Sequence, residues 1–140
     1  MLLIIIIALL SLIYTNSKII SCTNTTYFIP SGVTVISASA FTNSSCSELK
    51  SISIPATITA IDAYAFYGLK NLLTIVIPTS VISIGAAAFF GCSALTTVDI
   101  PTSIVNIGDS AFQNCISLRS ITIPSTVTSI GIYYLSIFDQ

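Results

Sequence analysis

The residues best suited to covalent chemistry in this 140-residue chain are its four cysteines, Cys22, Cys46, Cys92 and Cys115. Cys92 and Cys115 lie 23 residues apart, and Cys46 falls two such steps before Cys92, with Leu69 at the step between. A slot that accepts leucine is apolar and buried, so one reading is a column of thiols packed in a core. The other is a disulfide between Cys92 and Cys115 in an oxidising compartment, since bonded cysteines need Cα atoms about 4.4–6.8 Å apart. Cys22 is one residue out of step with the column and could pair with Cys46, pinning the first unit. Zinc does not fit, because there is no histidine and no Cys-x-x-Cys.

The missing histidine removes the commonest general base and metal ligand. Serines abound, but none has a partner for an ordinary triad. The carboxylates Glu48, Asp62, Asp99, Asp109 and Asp139 never recur at one repeat position in neighbouring units. A paired acid–base site is therefore unsupported. The glycines are singles, not a phosphate-cradling loop. Lys18, Lys50, Lys70 and Arg119 are scattered and the net charge is -1, which excludes an electrostatic case for nucleic acid or anionic membrane. The expectation is a protein without catalysis, cofactor or metal.

The positioning elements come from a repeat. All five prolines, Pro30, Pro55, Pro78, Pro101 and Pro124, share one phase, with spacings of 25, 23, 23 and 23 residues. Each follows an isoleucine: Ile29, Ile54, Ile77, Ile100 and Ile123. Leu49, Leu72, Leu95 and Leu118 lie six residues before the last four prolines, and Ile52, Ile75, Val98 and Ile121 three before. After each proline come Val33, Ile58, Val81, Ile104 and Val127, then Ile36, Ile61, Ile84, Ile107 and Ile130. Phe41, Phe66, Phe89 and Phe112 follow, each preceded by alanine, with Leu135 in the last unit. Such register across units marks a repeat architecture, in which one unit cannot bury its own apolar face and neighbours must stack.

Within a unit, Leu-x-x-Ile-x-Ile-Pro reads as a strand that the proline ends. The segment after it, such as Ser80–Gly85, is β-prone again, and Gly85, Gly108 and Gly131 are expected to permit a tight turn. Ala-Phe-x-x-Cys-x-x-Leu has the spacing of a short helical turn. The expected fold is a strand-dominated solenoid of five stacked windings, the fifth incomplete. It has a parallel sheet on one face and short helical turns opposite.

The unit resembles the BspA-like, or treponemal-type, leucine-rich repeat family. The resemblance is carried by Leu95-Thr96-Thr97-Val98-Asp99-Ile100-Pro101 through Ile107-Gly108-Asp109-Ser110-Ala111-Phe112-Gln113-Asn114-Cys115. It covers about residues 24 to 138. The departures are a longer first unit, Leu69 in place of cysteine, and Tyr134-Leu135 in place of Ala-Phe. It implies a curved leucine-rich repeat solenoid of surface or secreted proteins, often tied to adhesion.

The solvent side of the first strand is the candidate binding face. Ser51, Thr74, Thr97 and Ser120 lie four residues before the last four prolines, and Ser53, Val76, Asp99 and Thr122 two before. Lys50, Leu73, Thr96 and Arg119 flank them, and Thr26 and Phe28 continue the rows in the first unit. Solenoids bind along such sheets, and the residues selected are Ser51, Ser53, Thr74, Val76, Thr97, Asp99, Arg119 and Thr122. The expected partner is a protein or an extracellular host or matrix surface. The alternatives are a structural spacer or coat element with no ligand and, further off, an ice- or crystal-binding solenoid, whose hydroxyl rows Val76 and Asp99 would interrupt.

The ends carry separate expectations. The apolar run from Leu2 to Tyr14 is shorter than the about 20 residues of a spanning helix and matches a secretory signal core. Residues 1–21 are expected to be a signal peptide cleaved after Ser17 or Ser21. An uncleaved anchor and lipidation at Cys22 are the other readings. Residues 22–140 then form the solenoid, secreted or at the cell surface, with no mature membrane span. Asn24-Thr25-Thr26 and Asn43-Ser44-Ser45 are glycosylation sequons. No polar cap follows Tyr133 to Gln140, so the readings are a gene fragment, a truncated array, or self-association through the open end.

Overall fold

Each winding reverses direction at its proline. The carbonyls of Pro30, Pro55, Pro78, Pro101 and Pro124 accept the N–H of Val33, Ile58, Val81, Ile104 and Val127 at 3.0–3.1 Å. Proline lacks an N–H and fixes its own φ, so it ends ladder pairing where the chain must turn. The structure, a computed structural model, describes residues 22, 25–41 and 46–132.

Two short strands flank each turn. Those before it are β1 (Thr26–Phe28), β3 (Ser51–Ser53), β5 (Thr74–Val76) and β7 (Thr97–Asp99). Those after it are β2 (Val35–Ile36), β4 (Ala60–Ile61), β6 (Ser83–Ile84), β8 (Asn106–Ile107) and β9 (Ser129–Ile130). Like pairs with like, always parallel, in two sheets ordered β1-β3-β5-β7 and β2-β4-β6-β8-β9. The register follows the repeat: Thr26↔Ser51↔Thr74↔Thr97 in one sheet and Ile36↔Ile61↔Ile84↔Ile107↔Ile130 in the other. The one expected sheet is thus joined by a second.

The expected count of five windings also needs correction. Four windings contribute a strand to the first sheet and five to the second. The equivalent segment of the last winding, 119–123, pairs with nothing as a strand, and its Ile121 and Ile123 are half-buried. Within the described residues no further winding stacks on its outer side.

No α-helix occurs among the described residues, where short helical turns were expected. Alternation of the N–H groups explains this. The N–H groups of Tyr64, Phe66 and Gly68 donate to Ala86, Ala88 and Phe90 of the next winding at 2.8–2.9 Å. Those of Ala65, Tyr67 and Leu69 donate back to Asp62, Tyr64 and Phe66. The next unit repeats the pattern from Ala87 to Cys92. Half the donors a helix would need therefore bind the neighbouring winding. This zigzag places Tyr64, Ala87 and Ser110, and then Gly68, Gly91 and Asn114, in the left-handed region. Glycine and asparagine tolerate that conformation best.

Gly85, Gly108 and Gly131 do something other than turn. Their φ angles are not positive. Instead, a Cβ at Gly108 would meet the Ala86 nitrogen at 2.5 Å and the Gly85 carbonyl carbon at 2.7 Å. Glycine is present because backbone meets backbone there.

The interior is a set of columns. Ile52, Ile75 and Val98 are buried, as are Leu49, Leu72, Leu95 and Leu118, and Ile58, Val81 and Ile104. Phe41, Phe66, Phe89 and Phe112 stack with ring centroids 5.3, 5.0 and 5.1 Å apart and planes within 24°. That separation matches the strand spacing of about 4.8 Å, so the ladder sets the ring spacing. Among the described residues no polar or charged residue is buried.

Candidate functional site

Alternation along each strand before the proline sends the central residue inward and its neighbours out. In β5 and β7 the centres Ile75 and Val98 are buried while Thr74, Val76, Thr97 and Asp99 are exposed. In β3, Ile52 is buried, Ser53 exposed and Ser51 half-buried. Ser51, Thr74 and Thr97 therefore form one row, and Val76 and Asp99 are directly paired neighbours in the next. Ser51, Ser53, Thr74 and Val76 share one open depression with Thr26, Ile54 and Pro78. Thr97, Asp99 and Thr122 share a second with Ser120 and Ile100. Arg119 is exposed but lines neither.

The hydroxyls are not all free for a ligand. Thr26 Oγ1 and Ser51 Oγ lie 3.0 Å apart in a side-chain hydrogen bond. The apolar members stand out more: Phe28 is 72% exposed and Val76 74%. Phe28 pairs in register with Ser53, so a small residue separates it from Val76 two windings on. Val76 lines the open depression and Phe28 stands outside it.

The thiols follow the buried reading. Cys46, Leu69, Cys92 and Cys115 are all buried. Cys92 and Cys115 are free, so of the two readings the disulfide between them is the one the structure does not have. Each thiol instead donates to a backbone carbonyl of the previous winding, Cys92 Sγ to Phe66 O at 3.2 Å and Cys115 Sγ to Phe89 O at 3.1 Å. The bond that forms is Cys22–Cys46, with Cα atoms 4.8 Å apart, one winding's rise. It ties the segment before β1 to the first winding.

Burial pushes the Cys92 thiol far above its ordinary 9.0, with the nearby Cys115 adding to the effect. Burial, partly offset by a backbone hydrogen bond, pushes Cys115 up to about 12. The unfolded chain ionises these thiols near pH 9 while the fold keeps them protonated. Their stabilising effect is therefore complete below pH 9 and lost as pH rises above it. Raising pH from 8 to 10 is expected to cost about 3 kcal/mol for the two together. Urea unfolding of the wild type and of Cys92→Val/Cys115→Val at both pH values checks this. The variant should lose less by that amount, and an equal loss would remove the thiols as the cause.

Sequence reasoning missed a further device. Thr57, Ser80 and Thr126 lie two residues after their prolines and donate to Val33 O, Ile58 O and Ile104 O of the previous winding at 2.7, 2.6 and 3.2 Å. The recurring Ser or Thr at that phase was the available signal. Ser103 holds the same position, but its buried Oγ has no partner. A cluster of Tyr64, Tyr67 and Phe90 on the turn side was also missed, with Tyr67 and Phe90 stacked at 5.1 Å and 8°.

Among the described residues no three His, Cys, Asp or Glu side chains converge where a metal could bind. No helix there is long and apolar enough to cross a membrane. The signal segment 1–21, with its cleavage positions Ser17 and Ser21, lies outside the described residues. So do the sequon residues Asn24 and Asn43 and the end segment 133–140.

In-register parallel strands, one proline turn per winding and continuous apolar columns define a leucine-rich repeat solenoid. The chain belongs to the BspA type leucine-rich repeat family, which matches six repeat copies over residues 15–137. A leucine-rich repeat protein from Bacteroides ovatus is 36% identical with TM-score 0.70, over 76% of this chain and 29% of that one. A leucine rich cell surface protein from Faecalibacterium prausnitzii is 32% identical with TM-score 0.71, over 82% and 34%. The T. pallidum leucine-rich repeat protein is 32% identical with TM-score 0.66, over 74% and 47%. The chain thus spans less than half of each of these solved proteins. No curated protein matches it.

Proposed function

We propose that this chain is a non-catalytic secreted or cell-surface protein that binds a protein or an extracellular host or matrix surface through its first sheet. The observation carrying this reading is the pair of strongly exposed apolar side chains, Phe28 and Val76, on an otherwise hydroxyl-rich face. Apolar anchors beside satisfied polar groups are what recognition sites concentrate. The cell-surface description of the Faecalibacterium relative supports the location. The absence of histidine and the single placement of each carboxylate favour recognition over catalysis.

Binding of the purified chain to cultured epithelial cells and to immobilised matrix proteins tests the reading. Phe28→Ser/Val76→Asp is expected to weaken binding at least about tenfold, because anchor residues carry most of an interface's affinity. Its unfolding midpoint should stay near wild type, since both side chains already face solvent. Undiminished binding by a folded variant would favour a spacer without a ligand. The protruding Phe28 and Val76 also break the flat hydroxyl rows that an ice or crystal surface would require.

A further inference from the structure

Tyr64 stands where its counterparts in the other windings are small. In the row Ser39, Tyr64, Ala87 and Ser110 every φ is positive, at 58°, 60°, 52° and 55°. A bulky side chain is an outlier in that region, and an observed outlier points to a function that selects the residue. Core packing does not select it, because Tyr64 is 47% exposed. Its ring lies 5.7 Å from that of Tyr67, itself 42% exposed, with the planes tilted at 56°. Phe90 of the next winding stacks on Tyr67 at 5.1 Å and 8°, which fixes the Tyr67 ring beside Tyr64.

We propose that Tyr64 and Tyr67 are a modification site, at which a one-electron oxidant joins the two rings as dityrosine. Each phenol gives up one electron and one proton. The two tyrosyl radicals then bond through the ring carbons next to their oxygens, and the hydrogens on those carbons move to the oxygens as aromaticity returns. Two tyrosines and one hydrogen peroxide thus yield one dityrosine and two waters, with a haem peroxidase passing the electrons to the peroxide. The geometry suits this step. Directly bonded rings twist against each other, so a tilted pair is nearer the product than a stacked one. Holding both radicals in one winding also replaces a bimolecular encounter. Exposure lets the oxidant reach both rings, and side-chain rotation closes the remaining gap. The rest of the chain offers little competition for the oxidant. It has no tryptophan or histidine and one methionine. Cys92 and Cys115 are buried, and the Cys22–Cys46 pair is already oxidised.

Treating the full chain, its disulfide intact, with a haem peroxidase and hydrogen peroxide tests the site. Denaturation and trypsin then release residues 51–70, cut after Lys50 and Lys70, whose only tyrosines are Tyr64 and Tyr67. This peptide is expected to lose the mass of two hydrogens and gain dityrosine fluorescence, with a yield per chain that dilution leaves unchanged. Tyr64→Phe and, separately, Tyr67→Phe are expected to abolish both signals in it. Circular dichroism checks that the variants fold, as they should with both rings facing solvent. The mass shift in the wild type stands without either variant. A wild-type peptide of unaltered mass overturns the proposal. So does dityrosine that links this peptide only to a tyrosine elsewhere or to a second chain.

Discussion

Phe89→Ala is expected to destabilise the chain by about 4 kcal/mol, while Phe90→Ala, one residue on, costs about 1 kcal/mol. Both phenylalanines stack against an aromatic ring in another winding, so the difference isolates burial. Phe89 is fully buried between Phe66 and Phe112, with centroids 5.0 and 5.1 Å away. Its removal leaves a cavity in the middle of the column. The ladder bonds Phe66 N–H to Ala88 O and Phe89 N–H to Ala111 O, both 2.8 Å, hold the flanking windings at their spacing. The gap therefore cannot close by collapse, and the cost falls at the high end for such truncations. Phe90 is half-buried, and its ring stacks on Tyr67 of the preceding winding. Urea unfolding followed by far-ultraviolet circular dichroism checks both. Because each winding contacts only its neighbours, Phe89→Ala should also broaden the transition, separating the windings before the gap from those after it. Similar costs for the two variants would show that the phenylalanine column does not organise the core.

The same column shows what was legible in advance. Phe66, Phe89 and Phe112 recur every 23 residues, and a period that long imposes stacking whatever the local structure. Inward and outward residues of β3, β5 and β7 followed from alternation, so the rows of Ser51, Thr74 and Thr97 and of Val76 and Asp99 were readable. The path between the columns was not. Ala-Phe-x-x-Cys fits a helical spacing, yet Tyr64, Ala87 and Ser110 adopt positive φ, which side-chain type alone does not announce. The second sheet was obscured because β4, β6 and β8 are two residues long, too short for alternation to register. Cys22 paired with Cys46 because the 24-residue separation matches one winding plus the slip before β1. Cys92 and Cys115 had the same separation within one residue, but their thiols found carbonyl partners instead.

Gly108→Ala is expected to cost about 4 kcal/mol, against about 1 kcal/mol for Gly91→Ala. The two substitutions add the same methyl group to the same repeat and separate two reasons for glycine. Gly91 sits at φ 72°, and a Cβ there would find only the Gly68 Cα at 3.9 Å. Its cost is conformational, that of holding alanine in the left-handed region. Gly108 has no positive φ, but its Cβ would overlap the backbone of Gly85 and Ala86 in the preceding winding. A side chain in the way could rotate aside, whereas a peptide group can yield only if two windings move apart. That movement stretches the ladder on both sides of the contact. The chain contains its own comparison. The position of Gly85 and Gly108 is held by Asp62 in the second winding, and the neighbouring Phe41 N–H to Ala65 O bond is 3.4 Å long. Where glycine stands, the equivalent bonds from Phe66 and Phe89 are 2.8 Å. A Cβ at this position goes with a looser junction, which is tolerable beside the first winding, where the Cys22–Cys46 disulfide adds a covalent tie. Gly108 has no such support, and its junction carries stacked windings on both sides. Thermal unfolding of the two alanine variants distinguishes the causes, with equal small losses showing that the close backbone contact does not limit how the windings stack.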